Sequence, residues 1–265
     1  MSSSILEFAE RCARQAGQLI AGQRHQLTIQ FKGSAAEELV TQADIAADTL
    51  ICDAIKEQFP EHQILSEELS PDNPTDVAHL WVIDPIDGTV NYAHQHSQVA
   101  ISIAYFFQGQ VSAAVVYNPF SDELFAAEQG QGATLNGQPI RCSDKTELKR
   151  ALIATGFPYV KDELPLLMRR LNTVLANCAD IRRLGSAALD ICWVACGRLD
   201  GYYESVKPWD FAAAQLIATE AGARFGHTYV PDGNPQLEGD NLLISNPALF
   251  EPLRQLLLRA DQLSL

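Results

Sequence analysis

Asp84-Pro85-Ile86-Asp87-Gly88-Thr89 brings together, in one short run, residue types that can handle phosphate with the help of a metal. Two carboxylates flank a Pro-Ile pair. Hard cations such as magnesium prefer carboxylate and carbonyl oxygens, and Pro85 pre-sets a turn able to aim both carboxylates and the Ile86 carbonyl at one point. Gly88 lets the backbone approach a ligand closely, and N–H groups at a helix start bind phosphate. Two carboxylates in that place need a cation if they are to coexist with phosphate. The plainer reading is an acidic surface turn, since Asp and Gly are common turn residues and D-x-x-D-G recurs by chance. Three further stretches weigh against it: Ser66-Glu67-Glu68 after a strand, Trp209-Asp210-Phe211-Ala212-Ala213 opening a helix, and Leu39-Val40-Thr41-Gln42-Ala43-Asp44 leading into another.

Periodicity indicates the elements that must position these groups. Residues 4–22 open with a Ser4-x-x-Glu7 capping box and place Ile5, Phe8, Cys12, Ala16, Leu19 and Ile20 near one face of a helix. A second helix is predicted over 44–58, ended by Pro60, and residues 31–41 between the two read as a mobile, partly extended connection. Gln63-Ile64-Leu65 and Leu80-Trp81-Val82-Ile83 read as short strands that run straight into acids. Alternating apolar residues from Val99, with turn signals at Gly109, Asn118-Pro119 and Asn136-Gly137, make residues 99–142 an antiparallel meander. Beyond Thr146 the pattern alternates: strand 151–154, helix 163–177, strand 181–183, helix 187–196, strand 201–203, helix 210–221, strand 242–245 and a final helix carrying Leu249, Phe250, Leu253, Leu256 and Leu257. Alternation of this kind argues for an α/β lobe. The chain thus divides into an N-terminal α+β lobe, 1–145, holding most of the acids, and a C-terminal α/β lobe, 146–265, the two sharing one site.

Composition excludes several functions. The 265 residues, 47% hydrophobic, suffice for a sizeable core. A formal net charge of -14 disfavours a nucleic-acid partner, whose binding surface would concentrate Lys and Arg. Six cysteines without a CxxC read as small buried hydrophobes of a reducing compartment. With no signal-peptide pattern and no run of eighteen apolar residues, the expectation is a soluble cytoplasmic protein that does not enter membranes.

Taken together, the four acid-bearing stretches resemble the signature segments of the inositol monophosphatase family, a lithium-sensitive phosphatase group within the fructose-1,6-bisphosphatase-like superfamily. The resemblance runs over nearly the whole chain and takes in Arg183-Leu184-Gly185-Ser186-Ala187-Ala188-Leu189-Asp190 and Asp200-Gly201-Tyr202-Tyr203-Glu204. It implies a layered α/β/α/β/α sandwich, frequently a homodimer, working with two or three magnesium ions on a small phosphorylated substrate. Glu67, Asp84 and the Ile86 carbonyl would bind one ion and Asp84, Asp87 and Asp210 a second, with Asp84 bridging. Thr89, held by Asp44, would act with Glu67 to orient and deprotonate the attacking water. The resemblance assigns the phosphate to the Gly88 and Thr89 amides and the alcohol portion to Gly185, Ser186, Ala187 and Glu204. Asp87 and Asp210 count among the substrate contacts too, and Lys32 lies in the segment that closes over the site. Phosphoryl transfer through a charge-spread transition state calls mainly for positioning and positive charge, so a serine or cysteine nucleophile is unnecessary. The chain departs from the family pattern at Ser66, Val90, Ala43 and Ala223, none of which removes a ligand.

Tyr202-Tyr203-Glu204 and Gly185-Ser186-Ala187 resemble the inositol-phosphate branch, so myo-inositol 1-phosphate is the expected substrate. Related members act on fructose 1,6-bisphosphate, histidinol phosphate, NADP or 3'-phosphoadenosine 5'-phosphate, which stay as alternatives. A protein that keeps the fold and binds a macromolecular partner is the alternative class. Three other features are given structural roles: His94-Gln95-His96 as a solvated turn, Gly130-Gln131-Gly132 as a turn between strands, and Trp81 and Trp209 as packing anchors.

Overall fold

The computed structural model describes residues 4–25, 29–32, 38–72, 75–157 and 164–263. Helix α1 (Ile5–Gln23) starts where the capping box puts it: the Glu7 amide donates to Ser4 Oγ and the Ser4 amide to the Glu7 carboxylate. Strands β1 (Ile29–Lys32) and β2 (Glu38–Thr41) follow and pair antiparallel, with Lys32 opposite Glu38. The expected irregular connection is therefore partly a two-stranded ribbon, since extended backbone finds its hydrogen bonds by pairing. Residues 33–37 of that connection and the Lys32 side chain lie outside the described parts. Helix α2 (Gln42–Gln58) begins ahead of the expected Asp44, because Thr41 is the cap and Asp44 is the third helical residue closing a second capping box.

The large sheet runs in strict chain order. Strands β3 (Gln63–Ser66) and β4 (His79–Asp87) are parallel. After the short helix α3 (Thr89–Ala93), the meander of β5 (Ala100–Phe107), β6 (Gln110–Asn118), β7 (Glu123–Glu128), β8 (Ala133–Leu135) and β9 (Gln138–Pro139) continues antiparallel. In the turn between β7 and β8 the Gly130 and Gly132 amides each donate to the Glu220 carboxylate at 2.8 Å. The protein's own acid fills the place that a dinucleotide loop would offer to phosphate.

The second half supplies β10 (Leu152–Thr155), α4 (Leu164–Leu175), β11 (Asp180–Arg182), α5 (Ala187–Ala195), β12 (Gly201–Glu204), α6 (Pro208–Glu220), β13 (Arg224–His227), β14 (Leu242–Ser245) and α7 (Pro247–Gln262). Its sheet has the order β11-β10-β12-β14-β13, with β10 parallel to both its neighbours and β14 antiparallel to both of its own. Sequence patterning did not indicate β13, a four-residue strand interrupted by Gly226. Its local propensity is weak, and pairing with β14 is what makes it a strand.

Strand alternation sorts the core into layers. On β4, Trp81 and Ile83 join Phe8, Ala16 and Ile20 of α1 and Ala47 and Ile51 of α2, while Leu80 and Val82 join Leu189 and Cys192 of α5 and Phe211 and Leu216 of α6. On β14, Leu242 and Ile244 meet the same α5 and α6, whereas Leu243 meets Leu249 and Leu253 of α7. The result is α1 and α2, the large sheet, α5 and α6, the small sheet, then α7 with α4: an α/β/α/β/α sandwich. Among the described residues no helix is long and apolar enough to cross a membrane.

Phe8 anchors the outermost layer, its ring 5.0 Å from Phe59 and 5.6 Å from Trp81. Replacing it by Ala is expected to lower stability by about 3–5 kcal/mol in urea unfolding. A loss below about 1 kcal/mol would mean that α1 is not held by this contact.

Candidate active site

Residues three apart in a regular strand point to opposite faces, so Asp84 and Asp87 need a departure from regularity to converge. The pairing of β4 with β5 supplies it: Asp84 lies opposite Ser102 and Asp87 opposite Ala100, leaving one extra residue on β4. This β-bulge contains Pro85, whose missing N–H removes a rung of the ladder. The strand therefore runs on to Asp87 instead of stopping at Ile83 in a turn, and the bulge does the aiming that sequence reading gave to the turn. The Ile86 amide donates to Asp84 Oδ1 at 2.9 Å and fixes that carboxylate.

Helices from the other half bring the remaining groups. Asp87 accepts from Ser186 Oγ at 2.5 Å and from the amides of Ala188 and Ala187 at 2.7 and 3.3 Å, so it sits on the N-terminus of α5. Asp210, the third residue of α6, accepts the Lys207 amide at 2.8 Å. Asp84, Asp87 and Asp210 each present a carboxylate oxygen, all within 4.8 Å of one another. Glu67 follows β3, and its amide donates to the Ile83 carbonyl at 3.2 Å, which ties its loop to β4.

Burial and crowding change the acidity of these groups. Asp84 is held well above the carboxylate range, first by burial and then by the charges of Glu67, Asp87 and Asp210. Asp210 is pushed up to about 8 by burial and by Asp87. Asp87 rises only to about 6, because Ser186 and the α5 amides stabilise its charge against burial. Buried acids that raise one another's proton affinity form an oxygen-rich, charge-demanding set, and such a donor set suits magnesium.

Gly88 turns the chain from β4 into α3 with φ 96°, and a Cβ there would lie 2.8 Å from the Gln98 carbonyl and 3.0 Å from that of Gly185. Only glycine suits both the left-handed backbone and the close approach. Thr89 directs its hydroxyl at Asp44 Oδ1 (3.1 Å) and at the Ile86 carbonyl (3.2 Å). Asp44, fully buried, also accepts the Thr41 amide at 2.9 Å, and burial raises its pKa.

A cleft open to solvent adjoins the acids, lined by Asp87, Gly88, Gly185, Ser186, Ala187, Glu204 and Asp210. Glu204 accepts from the buried Tyr202 hydroxyl at 2.5 Å; burial pushes it up to about 7 against that bond and the Arg183 charge. The sequence-named residues thus converge, apart from Lys32, whose side chain is outside the described parts. Sequence reasoning singled out none of Gly156, Phe157, Arg183 and Asp190, which also line the cleft. Arg183 and Asp190 belong to a run already recognised; Gly156 and Phe157 carry no chemical signal. Asn91 was missed too: its amide nitrogen donates to the carbonyls of Gln98 (2.9 Å) and Leu184 (2.7 Å), stitching α3 to the segment before α5.

Comparison with known proteins shows what the chain is similar to. A family model described as "Inositol monophosphatase family" matches residues 1–258. The protein named Nus factor SuhB of Vibrio cholerae serotype O1 is 40% identical over 258 residues, which cover 95% of this chain and 96% of that one. The crystal structure of extragenic suppressor protein suhB from Bartonella henselae superposes with a TM-score of 0.88 at 34% identity, covering 96% and 98% of the two chains. A structure described as an IMPase/NADP phosphatase complexed with Mg2+ and phosphate gives 0.81 at 28% identity, with 91% and 90% covered.

The raised pKa values have a stability consequence whose sign is fixed. Asp84 and Asp210 bind protons in the folded chain that they would release on unfolding above about pH 4. Stability of the metal-free protein should therefore fall as pH rises from about 4 to about 8. In EDTA the melting temperature is expected to decline over that range more steeply for the native chain than for Asp210→Asn. At pH 8, Mg2+ should raise it for the native chain by several degrees and for the variant by little. Parallel pH profiles for the two proteins would contradict this.

Proposed function

This chain belongs to the inositol monophosphatase family, and on that premise we propose that it is a magnesium-dependent phosphomonoesterase acting on a small phosphorylated polyol, myo-inositol 1-phosphate foremost. The observation that carries the proposal is the trio Asp84, Asp87 and Asp210, with carboxylate oxygens within 4.8 Å of one another beside an open cleft. With Glu67 and the Ile86 carbonyl, these residues would hold the metal. Bound there, magnesium supplies positive charge to the phosphate and lowers the pKa of a coordinated water.

The chain's own groups do the rest in this reading. Thr89 donates its hydroxyl hydrogen bond to Asp44 or the Ile86 carbonyl, which leaves its oxygen lone pairs to accept from a water and aim it, with Glu67, at phosphorus. The first amides of α3, at Thr89, have no partner within the helix and are available to phosphate oxygens. Attack forms a bond from water oxygen to phosphorus as the ester P–O bond breaks; the attacking water would pass its proton to Glu67, and the departing alkoxide would take one from a water held by Asp87, leaving the alcohol and inorganic phosphate. Glu204, in the cleft wall, accepts hydroxyls of the leaving polyol. The lobes 1–145 and 146–265 would share this site, in a cytoplasmic protein that pairs as a homodimer and is sensitive to lithium.

The name Nus factor SuhB, carried by the Vibrio cholerae relative, favours a second reading in which the same fold also binds a macromolecular partner. The two readings need not exclude each other.

Phosphate release from myo-inositol 1-phosphate should require Mg2+ and should drop by more than about 100-fold in kcat/KM in Asp84→Asn at unchanged fold. A panel with fructose 1,6-bisphosphate, histidinol phosphate, NADP and 3'-phosphoadenosine 5'-phosphate, ranked by kcat/KM, decides the substrate. Undiminished turnover in Asp84→Asn would sink the metal assignment; no release from any ester would leave the partner-binding reading.

Asp87→Asn should keep the bond from Ser186 yet lose at least about tenfold in kcat, if Asp87 also holds the water that protonates the leaving alkoxide. Full turnover with normal Mg2+ affinity would remove that role.

A further inference from the structure

We propose that Gly156, at the exit of β10, is a specificity-determining position: its missing side chain is the seat of the Glu204 carboxylate. A Cβ built on Gly156 would lie 2.0 Å from both Glu204 carboxylate oxygens and 2.2 Å from Cδ. No real Cβ tolerates such contacts. The backbone at Gly156 is not in the left-handed region, unlike that at Gly88 and Gly185, so glycine is required here for space alone.

Glu204 has little freedom to give way. Tyr202, fully buried, donates its hydroxyl to Glu204 at 2.5 Å. The backbone carrying Glu204 is held in register, with Thr155 opposite Tyr203 in the parallel pair β10 and β12 and Thr155 Oγ1 donating to the Tyr203 carbonyl at 2.7 Å. The next residue along, Phe157, lies under the Arg183 guanidinium, 5.3 Å from ring centroid to Cζ. Three consecutive residues, Thr155, Gly156 and Phe157, therefore set both a carboxylate and a guanidinium in the wall of the cleft.

This inference rests on the phosphomonoesterase reading for its ligand and deepens it by assigning how the alcohol is read. A seated carboxylate offers acceptors to hydroxyl groups. A site built to bond a hydroxyl discriminates strongly against an ester that lacks it, because the acceptor is then left unpaired. Any side chain at 156 would turn Glu204 out of its seat, remove that discrimination and leave the phosphate side of the cleft intact. Gly156 is thus a positioning residue that acts through Glu204.

The test compares myo-inositol 1-phosphate with cyclohexyl phosphate, a ring ester without free hydroxyls. Gly156→Ala should raise KM for the inositol ester about tenfold with kcat within about threefold, and should change kcat/KM for cyclohexyl phosphate by less than about twofold. In a Glu204→Ala background, adding Gly156→Ala should change neither ester by more than about twofold, because the group through which it acts is gone. Equal losses on both esters, or a full further loss without Glu204, would overturn the proposal. A crystal structure of Gly156→Ala provides an arm independent of substrate: the Glu204 carboxylate should have left the Tyr202 hydroxyl, and an unmoved carboxylate overturns the proposal. If the wild-type protein hydrolyses neither ester, the phosphatase reading fails while the crystallographic arm still decides the seat. Should Gly156→Ala alone not fold, the Gly156→Ala/Glu204→Ala double variant should, since the clashing atoms are absent; failure of both also overturns it.

Discussion

Like charges held together in a protein interior repel, and the arrangement of this molecule turns on that repulsion. Asp84, Asp87 and Asp210 hold carboxylate oxygens within 4.8 Å of one another. At an effective dielectric of about 20, each such pair of full charges costs on the order of 3 kcal/mol. The chain bears this by anchoring every member separately: Asp84 in a bulge closed by its own Ile86 amide, Asp87 on the α5 N-terminus and Asp210 in the first turn of α6. Two of the three anchors are helix starts, where the macrodipole favours negative charge. The charge that these anchors leave uncompensated is what a cation bound there would neutralise.

Those helix starts lie beside the bulge because of apolar packing, far from any chemistry. In α6 every residue from Phe211 to Ala218 is buried, and α5 is buried nearly all round. A helix apolar on all sides needs cover on all sides. The two sheets provide it, the large one through Leu80, Val82 and Phe106 and the small one through Tyr202, Leu242 and Ile244. Clamping α5 and α6 between sheets from different halves of the chain presents their N-termini to the end of β4. Ser102 adds a direct tie, its hydroxyl donating to the Trp209 carbonyl at 3.1 Å, next to Asp210.

The small sheet plays the complementary part. Its β10 and β12 end at the cleft, carrying Gly156 and Glu204, while the large sheet ends there with Asp87 of β4. The Asp87 and Glu204 carboxylates thus come from different sheets and meet at one cleft because α5 and α6 hold the sheets at a fixed distance. Asp48 shows the same division of labour on the outer side: buried one turn beyond Asp44 on α2, it accepts the amides of Glu68 and Leu69 at 3.2 and 2.9 Å. A single helix therefore steadies both Thr89 and the loop that carries Glu67.

Much of this was legible in the residues alone. The capping box at Ser4, the alternation through the meander and the acids placed after β3, along β4 and at the start of α6 are local signals, decided by groups a few residues apart. Gly88 was singled out for close approach of a ligand, whereas the structure shows a left-handed turn crowded by the Gln98 and Gly185 carbonyls. What the chain order could not disclose is everything that depends on distant neighbours. β13 exists because β14 offers it partners, and Asp84 and Asp87 share a face because pairing with β5 forces a bulge. Gly156 gave no signal at all, since an absent side chain is informative only once Glu204 is seen to occupy the space. The residue types able to do chemistry were set by the sequence; their convergence was decided by the tertiary structure, because distances between remote side chains follow from packing, and packing is not a local property.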